Sequence, residues 1–411
     1  MIQAQDSTEP ETPAMSSIYD RLGVRVIVNA KGPATRLSGA ILPDEVAQAM
    51  AEAAQACVEI AELQATAGAI IAEATGAEAG YVTSGAAAGL LLGTAACVTR
   101  LDPGKMNRLP DTGGMKAEVV MVRSQRNFYD HAVRAAGVRI VEVGIADRFS
   151  GAGVRDAEAW ELADAITDRT AAIHYVAQPW SRPILPEVVR VAGAAGIPVL
   201  VDAAAQLPPA ENLRRFIREG ADLVVFSGGK ALRGPQASGI LCGRRDLVMA
   251  AALQHLDLDI DWHLWSPPPA LIDKARLPGA PHHGVGRPCK VGKEEIVGLL
   301  TALRLFLAQD PVVRRNSWLA QIQQIAAGLR GVPYASARVV EEGEVPLLEL
   351  ALDAGARLDA LGLVEQLQRG IPPIHVDHAR LSDGVIRCNP MCLRQDDPAL
   401  IARRLCDLLR A

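Results

Sequence analysis

The chain has 411 residues, of which 49% are hydrophobic and 22% charged; this excludes wholesale disorder and supplies enough apolar side chains for a large core. Its length suggests two or three domains, or one large α/β domain with an appendage. A net charge of −5, from 42 basic and 47 acidic residues, and 4% aromatics argue against tight nonspecific nucleic-acid binding and base-stacking platforms.

Residues 1–17 are polar and acidic, without the basic start and apolar run of a signal peptide, and are predicted to be a disordered tail. Residues 18–45 carry a short strand, VRVIVNA, and a Gly-rich turn before LPDEVAQAM opens a helix. From there to about 295, helices alternate with short apolar runs rich in β-branched residues. The predicted strands are 80–84, 118–123, 139–144, 171–177, 198–203, 222–227 and 239–243. Strand and helix alternating at this spacing predict an α/β fold, with a mainly parallel sheet covered on both faces. Residues 250–290 hold a Pro-rich stretch with little periodicity, predicted to be a long functional or partly disordered loop. A long helix follows and stops at Asp310-Pro311. The remainder reads as a small α+β unit: a strand at VPLLELALD, a helix at LDALGLVEQLQR, two short strands, and a helix at DPALIARRLCDLL. The predicted division is a tail (1–17), a segment joining the small domain (18–45), a large domain (46–295) and a small domain (296–411).

Seven scattered cysteines without a C-x-x-C pair imply reduced thiols and a cytoplasmic protein. No uncharged apolar run reaches about 20 residues, so no membrane span is expected. H-E-x-x-H is absent, Gly229-Lys230 is followed by Ala231 rather than Ser or Thr, and no metal site emerges.

Three features sit just past predicted strands, where ligand residues converge in open α/β sheets. Ser84-Gly85-Ala86 opens an apolar helix, where backbone N–H groups can hold an anion; an ordinary N-cap would look the same. Asp202 ends an apolar strand and needs a cationic partner, or else caps a helix. Lys230 lies in the Gly-rich turn Ser227-Gly-Gly-Lys-Ala-Leu-Arg-Gly-Pro-Gln, too apolar for a simple solvated loop. A lysine there can form a Schiff base, and Ser227 can reach a phosphate. Lysine, aspartate and a phosphate cradle are what a pyridoxal phosphate site requires.

The segments VFSGGKALRGPQASGILCGRRDLV, IAEATGAEAGYVTSGAAAGLLLGTAAC and GRPCKVGKEEIVGLLTAL resemble the selenocysteine synthase (L-seryl-tRNA selenium transferase)-like family of fold-type I pyridoxal phosphate enzymes. The resemblance covers about residues 25–310, and is strongest to the D-glucosaminate-6-phosphate ammonia-lyase-like branch. It implies an aspartate aminotransferase-like fold, with the cofactor in the large domain. It makes Lys230 the Schiff-base lysine and pairs Asp202 with the pyridine nitrogen. It sets Ser84, Gly85, Ala86 and Ser227 near the phosphate. Asn127, Tyr129 or His131 would stack on the ring, and Gln178 would meet the phenolic oxygen. Arg287, Lys290 and Lys293 match a basic motif near the cofactor or a neighbouring subunit's site. Arg36 and Arg387 are candidates for a substrate carboxylate, with Arg123 a further candidate for a substrate or phosphate anion.

Only about 20 residues precede the matching core, so no tRNA-binding domain and no tRNA substrate are expected. The expected function is a lyase removing the elements of ammonia from a small β-hydroxy or β-substituted amino acid, giving a 2-oxo acid. The same cofactor would serve an aldolase, racemase or aminotransferase. A noncatalytic anion- or partner-binding relative is the alternative from another class. Fold-type I sites commonly lie at subunit boundaries, so a homodimer or larger homo-oligomer is expected.

Overall fold

The computed structural model describes residues 17–145, 156–341 and 343–410. All of the predicted tail but Ser17 therefore lies outside the described residues. In chain order the strands are β1 (Val28–Ala30), β2 (Ala79–Thr83), β3 (Glu118–Val122), β4 (Arg139–Val143), β5 (Thr170–Val176), β6 (Val199–Asp202), β7 (Leu223–Ser227), β8 (Gly239–Gly243), β9 (Ala335–Val340), β10 (Leu347–Leu352), β11 (Ile374–Val376) and β12 (Val385–Cys388).

The larger of two compact units spans residues 33–317 with 343–345. Its described strands form one sheet of order β2-β8-β7-β6-β5-β3-β4. All neighbours are parallel except β8, which runs antiparallel to both β2 and β7. Strands β2, β3 and β5 are buried along their whole length, in keeping with their largely apolar sequences. Helix Ala86–Thr99 is buried on nearly every position because it lies against the sheet and also packs on helix Arg245–His255. Gly89 and Gly93 let it approach: a Cβ on Gly89 would stand 2.9 Å from Val225, and one on Gly93 would stand 3.0 Å from Leu200.

Two boundaries differ from the sequence reading. The larger unit begins near Pro33 rather than at 46, and runs to Ser317 rather than 295. The reason is helix Lys293–Ala308, which buries Ile296, Leu299, Leu303 and Phe306 and packs against helix Asp44–Ala54. The Pro-rich stretch is also more ordered than its sequence suggests. Helix Arg245–His255 opens the region, and Trp265, Leu271, Ile272 and Leu277 are buried in the main core. Lys274 ties the loop together: its ammonium donates to the carbonyls of Trp262 (2.7 Å) and Trp265 (2.6 Å), and lies 4.3 Å from the Trp262 ring centroid.

The smaller unit comprises residues up to 32, 318–342 and 346–411. It holds the antiparallel sheet β12-β10-β9 and the parallel pair β1-β11. Its core includes Leu348, Leu350, Leu363, Ile386, Ile401 and Leu405. Strand β9 and helix Pro311–Gly328 were not foreseen. Strand β9 is only half-buried and is flanked by a run of charges, so it lacks an apolar signature.

Glu349 on β10 is buried and takes Arg338, Arg380 and Arg387 at 2.5–3.0 Å. These hydrogen bonds hold its carboxyl well below the usual range, at about 2. A depressed carboxylate stabilises the fold above its unfolded value, and that stability is lost as pH falls through about 2. Glu349→Gln should therefore cost about 2 kcal/mol at neutral pH, and the deficit should shrink from about pH 4.5 downward. Chemical denaturation of both proteins at pH 7 and pH 3 checks this; a deficit that does not change with pH would mean the network contributes no charge-dependent stability.

Candidate active site

The strand ends of β5, β6 and β7 open side by side and carry the residues of interest. Asp202 ends β6, in register with Val176 of β5 and Val225 of β7. It is buried, and its Oδ1 accepts the Ala204 N–H at 2.9 Å. Among the described residues its other oxygen takes no hydrogen bond, which leaves it for a cationic ligand. His174 lies two residues back on β5, on the same face, with Nδ1 3.2 Å from the Leu200 carbonyl. That carbonyl only accepts, so Nδ1 carries a proton. Burial pushes the His174 pKa down while the Asp202 charge opposes the fall. Gln125, just beyond β3, is also buried. Its Oε1 accepts the Val176 N–H at 2.9 Å, and its Nε2 is a buried donor with no partner among the described residues.

The lysine turn begins where β7 ends at Ser227. It closes on itself through backbone bonds from Gly228 to Ser238, Gly234 to Gly228 and Arg233 to Lys230, each 2.9 Å. A Cβ on Gly228 would come within 2.1 Å of Ser238, and one on Gly229 within 2.6 Å of Gln236. The glycines are there because two passes of chain touch. Lys230 is half-buried; desolvation lowers its amine pKa and the Asp202 charge partly restores it. Such an amine is neutral more often than a surface lysine, and a neutral amine is the nucleophile that attacks an aldehyde.

The loop carrying Arg36 is pinned to this turn. Gln236 donates to the Thr35 carbonyl at 2.7 Å, Arg233 donates to the Ile41 carbonyl at 2.9 Å, and the Ala40 N–H reaches the Gly229 carbonyl. Leu37 is buried while Arg36 stays exposed. Across the sheet, Gly85 caps helix Ala86–Thr99 at φ +123°, with no side-chain cap and open space where a Cβ would stand. Gly239, the register partner of Ser227, lies against it: a Cβ there would be 2.6 Å from the Gly85 carbonyl carbon. The structure thus brings Ser84, Gly85, Ala86, Asp202, Ser227, Lys230 and Arg36 around one group of strand ends.

The sequence candidates differ in what their side chains meet. The Ser84 hydroxyl donates to the Cys289 carbonyl at 2.6 Å. The Asn127 amide is spent on its own turn, accepting from Tyr129 N–H and donating to the Gln125 carbonyl. Tyr129 is exposed, and His131 is exposed and contacts Arg134 at 3.1 Å. Arg123 pairs with Glu142 at 3.1 Å, Arg287 with Asp257 at 3.0 Å, and Lys293 with Glu294 at 2.8 Å. Lys290 is exposed, and Gln178 is half-buried past β5. Arg387 belongs to the smaller unit, where Nε and Nη2 both donate to Glu349. Among the described residues, no group of three His, Cys, Asp or Glu side chains could hold a metal ion.

Sequence reasoning missed Gln125, His174, Tyr81 and His255. The only signal for His174 was a polar residue inside an otherwise apolar strand, AAIHYVA.

The family model for SelA, L-seryl-tRNA selenium transferase, matches residues 27–259. A Streptomyces 5'-C-glycyluridine monooxygenase-decarboxylase is 34% identical over 95% of this chain and 92% of its own length. A D-glucosaminate-6-phosphate ammonia lyase from Salmonella typhimurium is 32% identical over 95% of this chain and 97% of its own. A solved structure of D-glucosaminate-6-phosphate ammonia-lyase superposes with a TM-score of 0.79, covering 97% of this chain and 99% of that one at 32% identity. The Bacillus subtilis ureidoglycine-glyoxylate aminotransferase, at 13% identity and TM-score 0.56 over 94% of this chain and 93% of its own, shares the fold alone.

Pyridoxal phosphate fits these residues. The uncapped helix start suits its phosphate, buried Asp202 its ring nitrogen and the desolvated Lys230 amine its aldehyde, while Gln125 offers nearby a buried donor unpartnered among the described residues. The chain belongs to the L-seryl-tRNA selenium transferase (SelA) family of fold-type I pyridoxal phosphate-dependent enzymes.

Proposed function

We propose that this enzyme is an ammonia-lyase acting on a small amino acid with a hydroxyl or other leaving group on Cβ. The observation that carries this is the pairing of half-buried Lys230 with buried Asp202 in a chain 32% identical, over 95% of its length, to an ammonia lyase.

When bound, pyridoxal phosphate supplies the electron sink for the bond broken at Cα. Lys230 would hold the cofactor through its Nζ, and the same amine is placed to take the Cα proton as general base. Asp202 holds a proton on the pyridine nitrogen through its free oxygen. The N–H groups at Gly85 and Ala86 bind phosphate oxygens, with Ser84 and Ser227 beside them. Gln178 meets the phenolic oxygen, and the 127–131 turn supplies the stacking group. Arg36 receives the substrate carboxylate, since its loop is fixed to the lysine turn and Arg387 is committed to Glu349. Loss of the Cα proton and the β group leaves an enamine; water then converts it to a 2-oxo acid and ammonia.

The active form is a cytoplasmic homodimer or larger homo-oligomer, and its substrate is a free small molecule rather than tRNA. Phe128, 95% exposed, with Tyr129 and Trp180 also exposed, supports a second subunit covering this edge. Among the described residues, no single helix is long and apolar enough to cross a membrane.

The Streptomyces relative favours a second reading, oxidative decarboxylation on the same scaffold. A panel of β-hydroxy, phosphorylated and glycyl-type amino acids separates the two. Equal release of ammonia and 2-oxo acid without oxygen uptake is expected; carbon dioxide release with oxygen uptake would replace the lyase assignment.

A further inference from the structure

A chain of buried hydrogen bonds reaches the phosphate turn and is not used in the chemistry above. Tyr81 on β2 is fully buried, and its hydroxyl lies 2.8 Å from His255 Nδ1. His255 Nε2 lies 2.8 Å from the Cys289 carbonyl oxygen. That carbonyl can only accept, so Nε2 carries the ring proton and Nδ1 accepts the Tyr81 hydroxyl. Burial holds the His255 pKa below its ordinary value, which keeps the ring neutral in this arrangement. The Ser84 hydroxyl donates to the same Cys289 carbonyl at 2.6 Å.

Ser84 has one proton, and it is spent on Cys289. An oxygen whose proton is so engaged has only lone pairs left to offer an anion, and these repel a phosphate dianion. To bind phosphate, Ser84 must swing its O–H away. Cys289 keeps a donor when it does, because His255 remains. The surrounding chain is held tightly enough for this to matter. The Gly286 N–H donates to the Gln254 carbonyl at 3.0 Å, and a Cβ on Gly286 would stand 2.5 Å from Leu92. Arg287 Nη1 donates to the His255 carbonyl at 3.1 Å, so the basic segment shares these anchors.

We propose that His255, oriented by Tyr81, is a positioning residue for the cofactor phosphate: it satisfies Cys289 and holds segment 284–290 while the Ser84 hydroxyl transfers to the phosphate. This rests on the pyridoxal phosphate reading of the site. Its distinguishing consequence is that the effect follows the phosphate rather than the aldehyde.

The test compares binding of pyridoxal phosphate and of unphosphorylated pyridoxal to apoenzyme, read by visible absorbance and by borohydride labelling of Lys230. His255→Ala should weaken pyridoxal phosphate about tenfold and leave pyridoxal within about twofold, the loss expected for a hydrogen bond to a charged group. Tyr81→Phe should act in the same direction more weakly, and it keeps the ring if the alanine variant folds poorly. His255→Gln, whose amide can still donate to Cys289, should recover most of the loss. Equal weakening of both ligands in Tyr81→Phe and His255→Ala would reduce the pair to general packing and overturn the proposal, as would no change in either. If the unmutated protein binds neither ligand at Lys230, the cofactor assignment itself fails; normal binding with indifferent variants sinks only the role of His255.

Discussion

Lys230→Ala should lower turnover by at least about a thousandfold, because in the proposed mechanism one substitution removes both the group that bonds the cofactor and the general base. It should also abolish the borohydride-dependent label on the peptide around Gly229–Arg233. The fold should survive. The turn is closed by backbone bonds at Gly228, Arg233 and Gly234, and Gln236 and Arg233 hold the neighbouring loop. None of these uses the lysine ammonium. Thermal unfolding of the variant apoenzyme should therefore stay close to that of the unmutated apoenzyme, and the comparison separates lost chemistry from lost structure. Near-normal turnover with an intact label elsewhere would transfer the role to another lysine. Lys290, which the sequence places in a basic motif, is exposed.

The sheet was legible in the sequence because most of its strands are buried on both faces and write themselves as largely apolar runs, edge strand β4 being the more exposed exception. Each of the seven predicted for the large unit is present within a residue or two. Asp202 and Ser227, which end such runs, and Lys230, in the Gly-rich turn just beyond one, were legible as candidates for a related reason: a polar group there calls for a ligand or a cap. What the sequence hid depends on pairing across the fold. Gln125 gains meaning from the Val176 amide, His255 from Tyr81 and Cys289, and Arg387 from Glu349; these partners are 51, 174, 34 and 38 residues apart. Helix Lys293–Ala308 was seen, but its loyalty was not, since its apolar stripe says only that it packs and not on what. The Pro-rich stretch misled because prolines suppress periodicity without preventing burial, as Trp265 and Ile272 demonstrate.

Asp202→Asn should reduce turnover by about a hundredfold to a thousandfold while leaving the fold intact, the scale of losing one placed electrostatic group. Asparagine can keep the bond from the Ala204 N–H through its own oxygen, so the strand end need not move. What changes is the second atom. A carboxylate oxygen accepts a proton-bearing nitrogen; an amide NH₂ presents hydrogens instead, so the ring nitrogen is no longer held protonated. The same substitution removes the negative charge that raises the Lys230 amine against its desolvation. The Lys230 pKa should then fall further, and the pH at which apoenzyme begins to react with pyridoxal phosphate should move lower. His174 loses the same support and should stay neutral to lower pH. A weakened variant whose onset pH is unmoved would place Asp202 too far from Lys230 to share its electrostatics. A variant with full turnover would mean the ring needs no carboxylate here, and would leave His174 and Gln125 as the polar groups beneath it.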